Sequence, residues 1–475
     1  MIPRSLRKAA RVQQQGTRFR LFPAYADGFA EPETVVLSPP AGTIVAGPAD
    51  TRMYTVTPLC KNDPYDPPTY VPPYRGPTHA PAMPDHFGHF DWIPVECEQF
   101  LAAHTYATVR LTLDIWEHYL GRPVVWWHAA FMPQVELIPV AHWSNAHSGP
   151  GFIEMGRQAT NDGSMAPFCL NFDVLAHETG HAILFSQIGI PPAGHVTCDF
   201  LAFHESLADL IAIVGILHFR SITGHLLRET HGNLYVLNVL NRIGTISRTE
   251  QIRVASNLAT MHDVADLQLS PDGSWIDPTG QNRNQHAIAE PLTGGIFDIL
   301  VEFYQDDLVD KGLIRPDTDA RGWTRAEVEQ AMDEVHEESA RAFGRFAAGF
   351  HGALERARDL VGLCLAHVML TLRPETLTFP LVAARFLEAA AALGEANILP
   401  ALLEHFLWRQ IDPCPHLSIG IPRSRGGRRR HTRGPLLVTE PANRMRGCDC
   451  GEPAGFLRAH RLMTHPHRAE AVSAQ

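Results

Sequence analysis

Residues 172–185 read FDVLAHETGHAILF and place two histidines four positions apart. Residues i and i+4 of an α-helix lie on one face about one turn apart, so His177 and His181 are predicted to direct both imidazoles towards one point. Glu178 is one position further round the helix, and its side chain is long enough to reach a water molecule on a metal held there. This pattern on a helix is typical of metal-assisted hydrolysis.

The residues on both sides of this pattern are apolar. Val174-Leu175-Ala176 precede it and Ala182-Ile183-Leu184-Phe185 follow it. A helix that is apolar on all sides is predicted to be buried. Burying two histidines and a glutamate without partners would be costly, so the flanks favour a bound metal over an exposed polar helix face.

A second apolar stretch supplies a candidate third ligand. Residues 201–215 read LAFHESLADLIAIVG. Catalytic zinc sites usually take three protein ligands and leave one position open, and Glu205 is predicted to be the third. Asp209, one helical turn further on, is predicted to accept the free ring N–H of a ligand histidine and so fix its tautomer. His204 is an alternative ligand, although a packing role is favoured for it.

In these motifs the sequence resembles the thermolysin-like metallopeptidases, which are gluzincins. A third matching stretch is WSNAH at residues 143–147, followed by FIEMG at residues 152–156. The resemblance implies an edge strand at which Asn145 and Ala146 bind the substrate backbone. It also implies an α+β fold, a thermolysin-like two-lobe zincin. Its N-terminal mixed α/β lobe would carry the active-site helix, and its C-terminal lobe would be mainly α-helical.

The resemblance further implies Zn²⁺-dependent cleavage of peptide bonds in a peptide or protein substrate, with Glu178 as the general base. Family members place a histidine on the far side of the zinc, just before a Gly-rich helix start. His286, which precedes Gly294-Gly295, is the candidate here, and it would steady the developing negative charge. His262 competes with it for this role.

Two features depart from the family pattern. The segment after His181 lacks the tyrosine that the family uses near the oxyanion, and Tyr235 is the candidate substitute. Arg283 is only a weak match to the family's substrate-binding arginine. These departures keep two alternatives open. One is a gluzincin-like zinc-binding protein without general protease activity, acting as a binding module or on a narrow amide substrate; the other is an α-rich structural protein without a metal.

The charge of the chain is unevenly distributed. The 475 residues carry a formal net charge of −11, but residues 421–475 contain eleven arginines and four acidic residues, a balance of +7, which leaves −18 on the remainder. An acidic body argues against a nucleic-acid-binding core, which needs a basic face. The most apolar stretch, residues 210–217, is far shorter than the ~20 residues of a membrane span, so no membrane partner is expected. The oligomeric state stays open.

Composition and periodicity predict four regions. Residues 1–100 are an irregular Pro-rich N-terminal region with short strands, and 101–190 are an α/β lobe with the His-Glu-x-x-His helix. Residues 191–411 are a mainly helical lobe with the third zinc ligand, and 412–475 are a flexible basic tail. The sequence shows no signal-peptide pattern, so a cytoplasmic location is expected, with secretion by another route left open.

Individual elements follow from the same periodicity. Helices are predicted over residues 96–120, 172–186, 203–220, 291–309, 325–372 and 380–411, and strands over 34–37, 53–56 and 135–141. Pro139 favours an edge position for the last strand. The eight cysteines are scattered, unlike those of a disulfide scaffold. A second metal site in the tail has only a weak pattern, made by Cys414, His416, Cys448 and Cys450.

Overall fold

The computed structural model describes residues 16–24, 31–159, 165–192, 196–236, 238–245, 251–264, 268–269, 275–276, 282–283, 285–319 and 325–421. Over these residues the chain is mixed α and β with a helical majority, which agrees with the predicted α+β class. The chain divides into two compact units. Described residues up to Ile190, with Gly244 and Thr245, form the first unit; Pro191–Ile243 and the described residues from Gln251 onward form the second.

The first unit contains two helices and eight strands among its described residues. They are β1 (Gly16–Leu21), β2 (Glu33–Pro40), β3 (Met53–Thr55), α1 (Glu98–Leu120), β4 (Val135–Ile138), β5 (Ala146–Gly149), β6 (Phe152–Met155), β7 (Arg157–Ala159), β8 (Met165–Pro167) and α2 (Phe172–Ile188). β1 pairs with β2 and β7 with β8, both antiparallel. The long helix α1 contacts α2 and the strands β1 to β4.

A four-stranded sheet in the order β3-β4-β6-β5 forms the centre of this unit. β4 runs parallel to β3 and to β6, whereas β5 runs antiparallel to β6 and ends the sheet. The expected edge position for the strand containing Pro139 is therefore wrong, because β4 lies between two partners. The strand ends at Ile138, so the missing N–H of Pro139 costs the ladder no hydrogen bond.

The second unit is mainly helical. Its described helices are α3 (Cys198–Ile216), α4 (Arg220–Glu229), α5 (Met261–Val264), α6 (Gln285–Asp310), α7 (Arg325–Thr371), α8 (Phe379–Ala392) and α9 (Leu399–Trp408). Short strands are β9 (Arg242–Thr245, which crosses the boundary between the units), β10 (Gln251–Val254), β11 (Gln268–Leu269), β12 (Trp275–Ile276) and β13 (Asn282–Arg283). α6 packs against α3, α7 and α9, and is the central helix of the unit.

Three predicted helices differ from the structure by more than two residues at an end, or by an internal break. α3 begins at Cys198 rather than at residue 203, because the Thr197 hydroxyl accepts a hydrogen bond from the Phe200 N–H and caps the helix. The helix predicted over 380–411 is two helices, α8 and α9, separated by a turn in which Gly394 has φ +95°. α6 begins at Gln285 and continues through Pro291.

None of the described helices is, by itself, long and apolar enough to cross a bilayer. One bent pair, α3 with α4, meets the length and composition criteria only when the two helices are taken together across a 90° bend.

Candidate metal centre

The helix α2 carries the His-Glu-x-x-His pattern and is fixed at both ends. At its start, the Asn171 side chain accepts hydrogen bonds from the backbone N–H groups of Asp173 and Val174, at 3.0 and 3.3 Å. These bonds satisfy two of the donors that a helix start leaves open, and the Asp173 carboxylate faces the positive end of the helix dipole. The helix ends at Gly189, whose φ of +90° favours glycine.

His177 and His181 meet on one face of α2, as their spacing predicts. Their Nε2 atoms are 3.1 Å apart, and their rings are nearly perpendicular at 89°. Two nitrogens bonded to one tetrahedral zinc at about 2.0–2.1 Å would lie about 3.3–3.4 Å apart. The two imidazoles are 2% and 4% exposed. The pair therefore fits two neighbouring positions of a zinc coordination shell.

Other predicted site residues also lie in the first unit. Glu178 is 1% exposed and follows His177 on α2. Asn145 and Ala146 lie at the start of β5, and α2 packs against this strand. The Asn145 side-chain oxygen accepts a hydrogen bond from the Ala146 N–H at 2.8 Å, while the Asn145 backbone oxygen accepts one from Gly156 N–H. The Asn145 side chain thus fixes the turn that leads into β5.

In the second unit, α3 carries the predicted third ligand. Glu205 is fully buried, as is its neighbour His204, and Asp209 is 3% exposed one turn further along. Burial lowers the pKa of His204 to about 3, although the negative charge of Glu205 acts in the opposite direction. His204 is therefore neutral near pH 7. α3 is attached to α8 by its first turn, where the Asp199 carboxylate accepts the Phe379 N–H at 3.0 Å.

The structure brings Glu205 and His286 together. Glu205 Oε2 and His286 Nδ1 are 2.9 Å apart, and His286 is 7% exposed. His286 is the second residue of α6, not a loop residue, because this helix begins six positions before the predicted start. α6 is joined to α3 by a further contact one residue beyond Glu205, where the Thr293 hydroxyl donates to Ser206 Oγ at 3.0 Å.

Gly294 and Gly295 do not start a helix, as the pattern suggested, but lie inside α6. A Cβ at Gly294 would come within 2.6 Å of the Arg409 guanidinium. This arginine is fully buried; it forms an ion pair with Asp298 at 2.8 Å and donates to the Asn257 side-chain and backbone oxygens. Sequence reasoning missed Arg409, because an arginine at the end of a helix gives no sign of burial.

The alternative candidates for the oxyanion and substrate roles, and for a second metal site, lie elsewhere. His262 is exposed on the four-residue helix α5, and Tyr235 is 2% exposed in the second unit. The side chain of Arg283 lies outside the described part of the structure. In the tail, Cys414 and His416 are exposed, whereas Cys448 and Cys450 fall outside the described residues. His286 is therefore the candidate histidine with a described contact to a predicted ligand.

The candidate ligand set for a metal ion consists of three buried residues, His177 and His181 of the first unit and Glu205 of the second. No family model matches the sequence, and no curated protein matches it. Among solved structures, the chain is similar to the precursor of protealysin, a metalloproteinase from Serratia proteamaculans. The identity is 13%, the match covers 69% of this chain and 91% of that one, and the TM-score is 0.32.

Proposed function

We propose that this protein is a zinc-dependent hydrolase that cleaves peptide bonds in a peptide or protein substrate. His177 and His181 of the first unit and Glu205 of the second are the proposed ligands of Zn²⁺. The observation that supports this most directly is the 3.1 Å approach of the two Nε2 atoms on a buried helix face. Two nitrogens and one carboxylate oxygen are a ligand set typical of catalytic zinc.

The proposed chemistry is hydrolysis with Glu178 as the general base. Zinc bound by this set supplies a Lewis acid that polarises a carbonyl and lowers the pKa of water. Glu178 takes a proton from the attacking water and delivers it to the leaving amine, which requires a carboxylate next to the ligands. Its burial at 1% exposure keeps competing water away from this proton transfer.

The remaining predicted residues have supporting roles in this proposal. His286 steadies the negative charge that develops on the carbonyl oxygen, and its 2.9 Å contact with Glu205 supports a position beside the ligand set. Asp209 accepts the free ring N–H of a ligand histidine. Asn145 and the backbone of Ala146 receive the substrate as an added strand, which their position on the last strand of the sheet supports.

The test compares Glu178→Ala and Glu178→Gln with the wild type, with Gln187→Ala at the end of the same helix as a matched control. Zinc per chain is measured by elemental analysis, and hydrolysis is measured on casein and on a fluorogenic peptide library. We expect all four proteins to bind about one zinc per chain. Both Glu178 variants should lose at least about 100-fold in kcat, the range for general acid–base catalysis, whereas Gln187→Ala should retain activity.

Other outcomes separate the alternatives. Full zinc occupancy with no cleavage of casein or of any library peptide by the wild type would indicate a zinc-binding protein without general protease activity. A protein without zinc, unaffected by chelation, would overturn the proposal, and the 3.1 Å contact would then be a hydrogen bond between two imidazoles. Full zinc-dependent cleavage by Glu178→Ala would show that the assigned base is wrong.

A further inference from the structure

One face of the four-stranded sheet carries a row of polar side chains that crosses every strand. Tyr54 of β3 is paired with Glu136 of β4, and Glu154 of β6 is paired with Ile138, two residues after Glu136. His147 of β5 is paired with Glu154. Since side chains alternate between the faces of a strand, these four lie on one face. We call Tyr54, Glu136, Glu154 and His147 the polar row.

The Pro-rich segment after β3 packs over this row, and its Lys61 balances the negative charge of Glu154. Lys61, 3% exposed, forms an ion pair with Glu154, and its Nζ lies 3.9 Å from the ring centroid of Tyr65. The Tyr65 N–H donates to Glu154 at 2.8 Å, and the Tyr65 and Tyr54 hydroxyls donate to Glu136. Glu154 is thus bound by a cation and a donor from this segment, and Glu136 by donors from the segment and from β3.

His147 joins the edge strand to this row. Its Nε2 lies 2.9 Å from Glu154 Oε2. Its ring packs between Trp143, at 4.6 Å between ring centroids, and Phe152, at 5.0 Å. Lys61 reinforces the same link from the backbone, because its carbonyl oxygen accepts the His142 N–H just before the edge strand. β5 is therefore attached to the sheet by side chains as well as by its ladder.

The outer edge of β5 is the surface that the proposed function assigns to substrate. The Asn145 carbonyl oxygen accepts Gly156 N–H and so points towards β6. Backbone groups along a strand alternate in direction, so the carbonyl group of Ala146 points away from the sheet, whereas its N–H donates to the Asn145 side-chain oxygen. A shift of β5 would displace this edge from an incoming strand and so weaken the binding of an extended peptide.

We propose that Lys61, Glu154 and His147 are positioning residues that hold β5 in the place and register at which its outer edge receives an extended peptide. The role of the peptide rests on the proposed function, whereas the holding of β5 is independent of it. A buried ion pair is a costly way to gain stability, and in some proteins such a group instead specifies one arrangement over others. Burial by itself would raise the pKa of Glu154, but the hydrogen bond from His147 and the charge of Lys61 outweigh it, so this carboxylate stays ionised.

Two substitutions at one position separate the hydrogen bond from packing. His147→Phe keeps a ring between Trp143 and Phe152 but donates nothing to Glu154. His147→Gln keeps an N–H donor on a side chain of similar length. Glu136→Gln is the matched control, because it weakens the same polar row on β4, away from the edge strand. Each full-length protein is assayed for zinc content, for kcat and KM on the best fluorogenic library peptide, and for hydrogen exchange of the amides of residues 146–149.

We expect His147→Phe to raise KM about tenfold, the equivalent of one charge-assisted hydrogen bond, with kcat and zinc content retained. Exchange at residues 146–149 should accelerate about tenfold in this variant, and His147→Gln should restore both values close to those of the wild type. Glu136→Gln should leave KM and this exchange unchanged even where it lowers the melting temperature.

The inference is overturned if His147→Phe and Glu136→Gln lower the melting temperature alike and both leave KM and β5 exchange at wild-type values. It is also overturned if His147→Gln behaves like His147→Phe, since packing would then be the cause. If the wild-type protein cleaves no peptide, the proposed function fails, and exchange at residues 146–149 alone decides whether the polar row holds the strand.

Discussion

The protein contains two buried groups of ionisable side chains that are built in different ways. In the polar row, Glu154 forms an ion pair with Lys61 and also accepts hydrogen bonds from His147 and Tyr65. In the candidate ligand set, His177 and His181 direct two ring nitrogens at one point, and neither lysine nor arginine belongs to the set. Both groups are buried; the first pairs its carboxylate with a lysine, whereas the second consists of two imidazoles and a carboxylate.

The two groups differ in the positive charge that would balance their carboxylate: a lysine in the polar row and a metal ion in the candidate ligand set. A buried carboxylate that is already paired with a lysine needs no metal, and the tyrosine rings around Lys61 leave that cation enclosed by aromatic faces. Imidazoles and a carboxylate, by contrast, are the ligands that zinc prefers. We therefore expect the two groups to respond differently to chelation and to loss of a single charge.

The largest effect is expected from removing a zinc ligand. In Glu205→Ala the metal site loses one of three protein ligands. Losing a residue that only hydrogen-bonds to a ligand typically lowers metal affinity up to about 100-fold. Losing Glu205 itself should lower zinc affinity by more than this, and peptide cleavage should cease. Lys61→Met should keep the wild-type zinc content. Elemental analysis after dialysis against a weak chelator measures both. Equal zinc content in wild type and Glu205→Ala would exclude this residue from the ligand set.

The second largest effect is expected at Lys61. Lys61→Met leaves the Glu154 carboxylate buried without its cation, which typically costs about 3–5 kcal/mol. In Lys61→Met/Glu154→Gln the unpaired charge is gone as well, so part of the stability should return. The free energy of opening, from native-state hydrogen exchange of β4 and β6 amides, measures both proteins. A double variant less stable than Lys61→Met would show that the ion pair is not the main contribution of Glu154.

A third effect concerns pH and a buried histidine of the first unit. His104 of α1 is fully buried and accepts the Phe22 N–H on Nε2 at 3.1 Å. Burial lowers its pKa from the ordinary 6.5 to about 4, although backbone hydrogen bonds act in the opposite direction. Because the unfolded chain binds this proton more readily, the stabilising contribution is complete above pH 6.5 and declines as pH falls towards 4.

This decline should amount to about 2 kcal/mol between pH 7 and pH 5, at about 1.4 kcal/mol per pKa unit. His104→Gln keeps a hydrogen-bond acceptor but does not titrate, so its stability should change less over the same range. Native-state exchange of α1 amides at the two pH values gives the comparison. An identical decline in both proteins would assign the pH dependence to other groups.

The approach of His177 to His181 was predictable from sequence because it is local. The spacing of His177 and His181 within one helix dictates that their side chains meet, whatever the rest of the fold does. The apolar flanks predicted burial of α2 and α3, and both helices are buried. The position of His286 was harder, since the pattern indicated a loop and the structure places it in the first turn of α6.

The polar row could not be predicted in the same way. Its four residues belong to four strands, and the register of the sheet brings Glu136 and Glu154 onto one face. Lys61 lies within residues 1–100, which composition describes as irregular and Pro-rich. Arg409 is a similar case, because its partners Asn257 and Asp298 are more than 100 positions away. Pairings over such distances have no periodicity in the sequence.

The smallest effect is expected at the start of α2, where structure is again local. Asn171→Ala removes the side-chain oxygen that accepts the Asp173 and Val174 N–H groups, and loss of such a cap typically costs about 1 kcal/mol. Asn171→Asp keeps an acceptor and should restore most of this stability. The His177–His181 spacing lies more than a turn further along, so zinc content should be unchanged in both variants. Exchange of α2 amides measures the first effect and elemental analysis the second. A loss of zinc in Asn171→Ala would show that the arrangement of the two imidazoles depends on the cap of their helix and not only on their spacing along it.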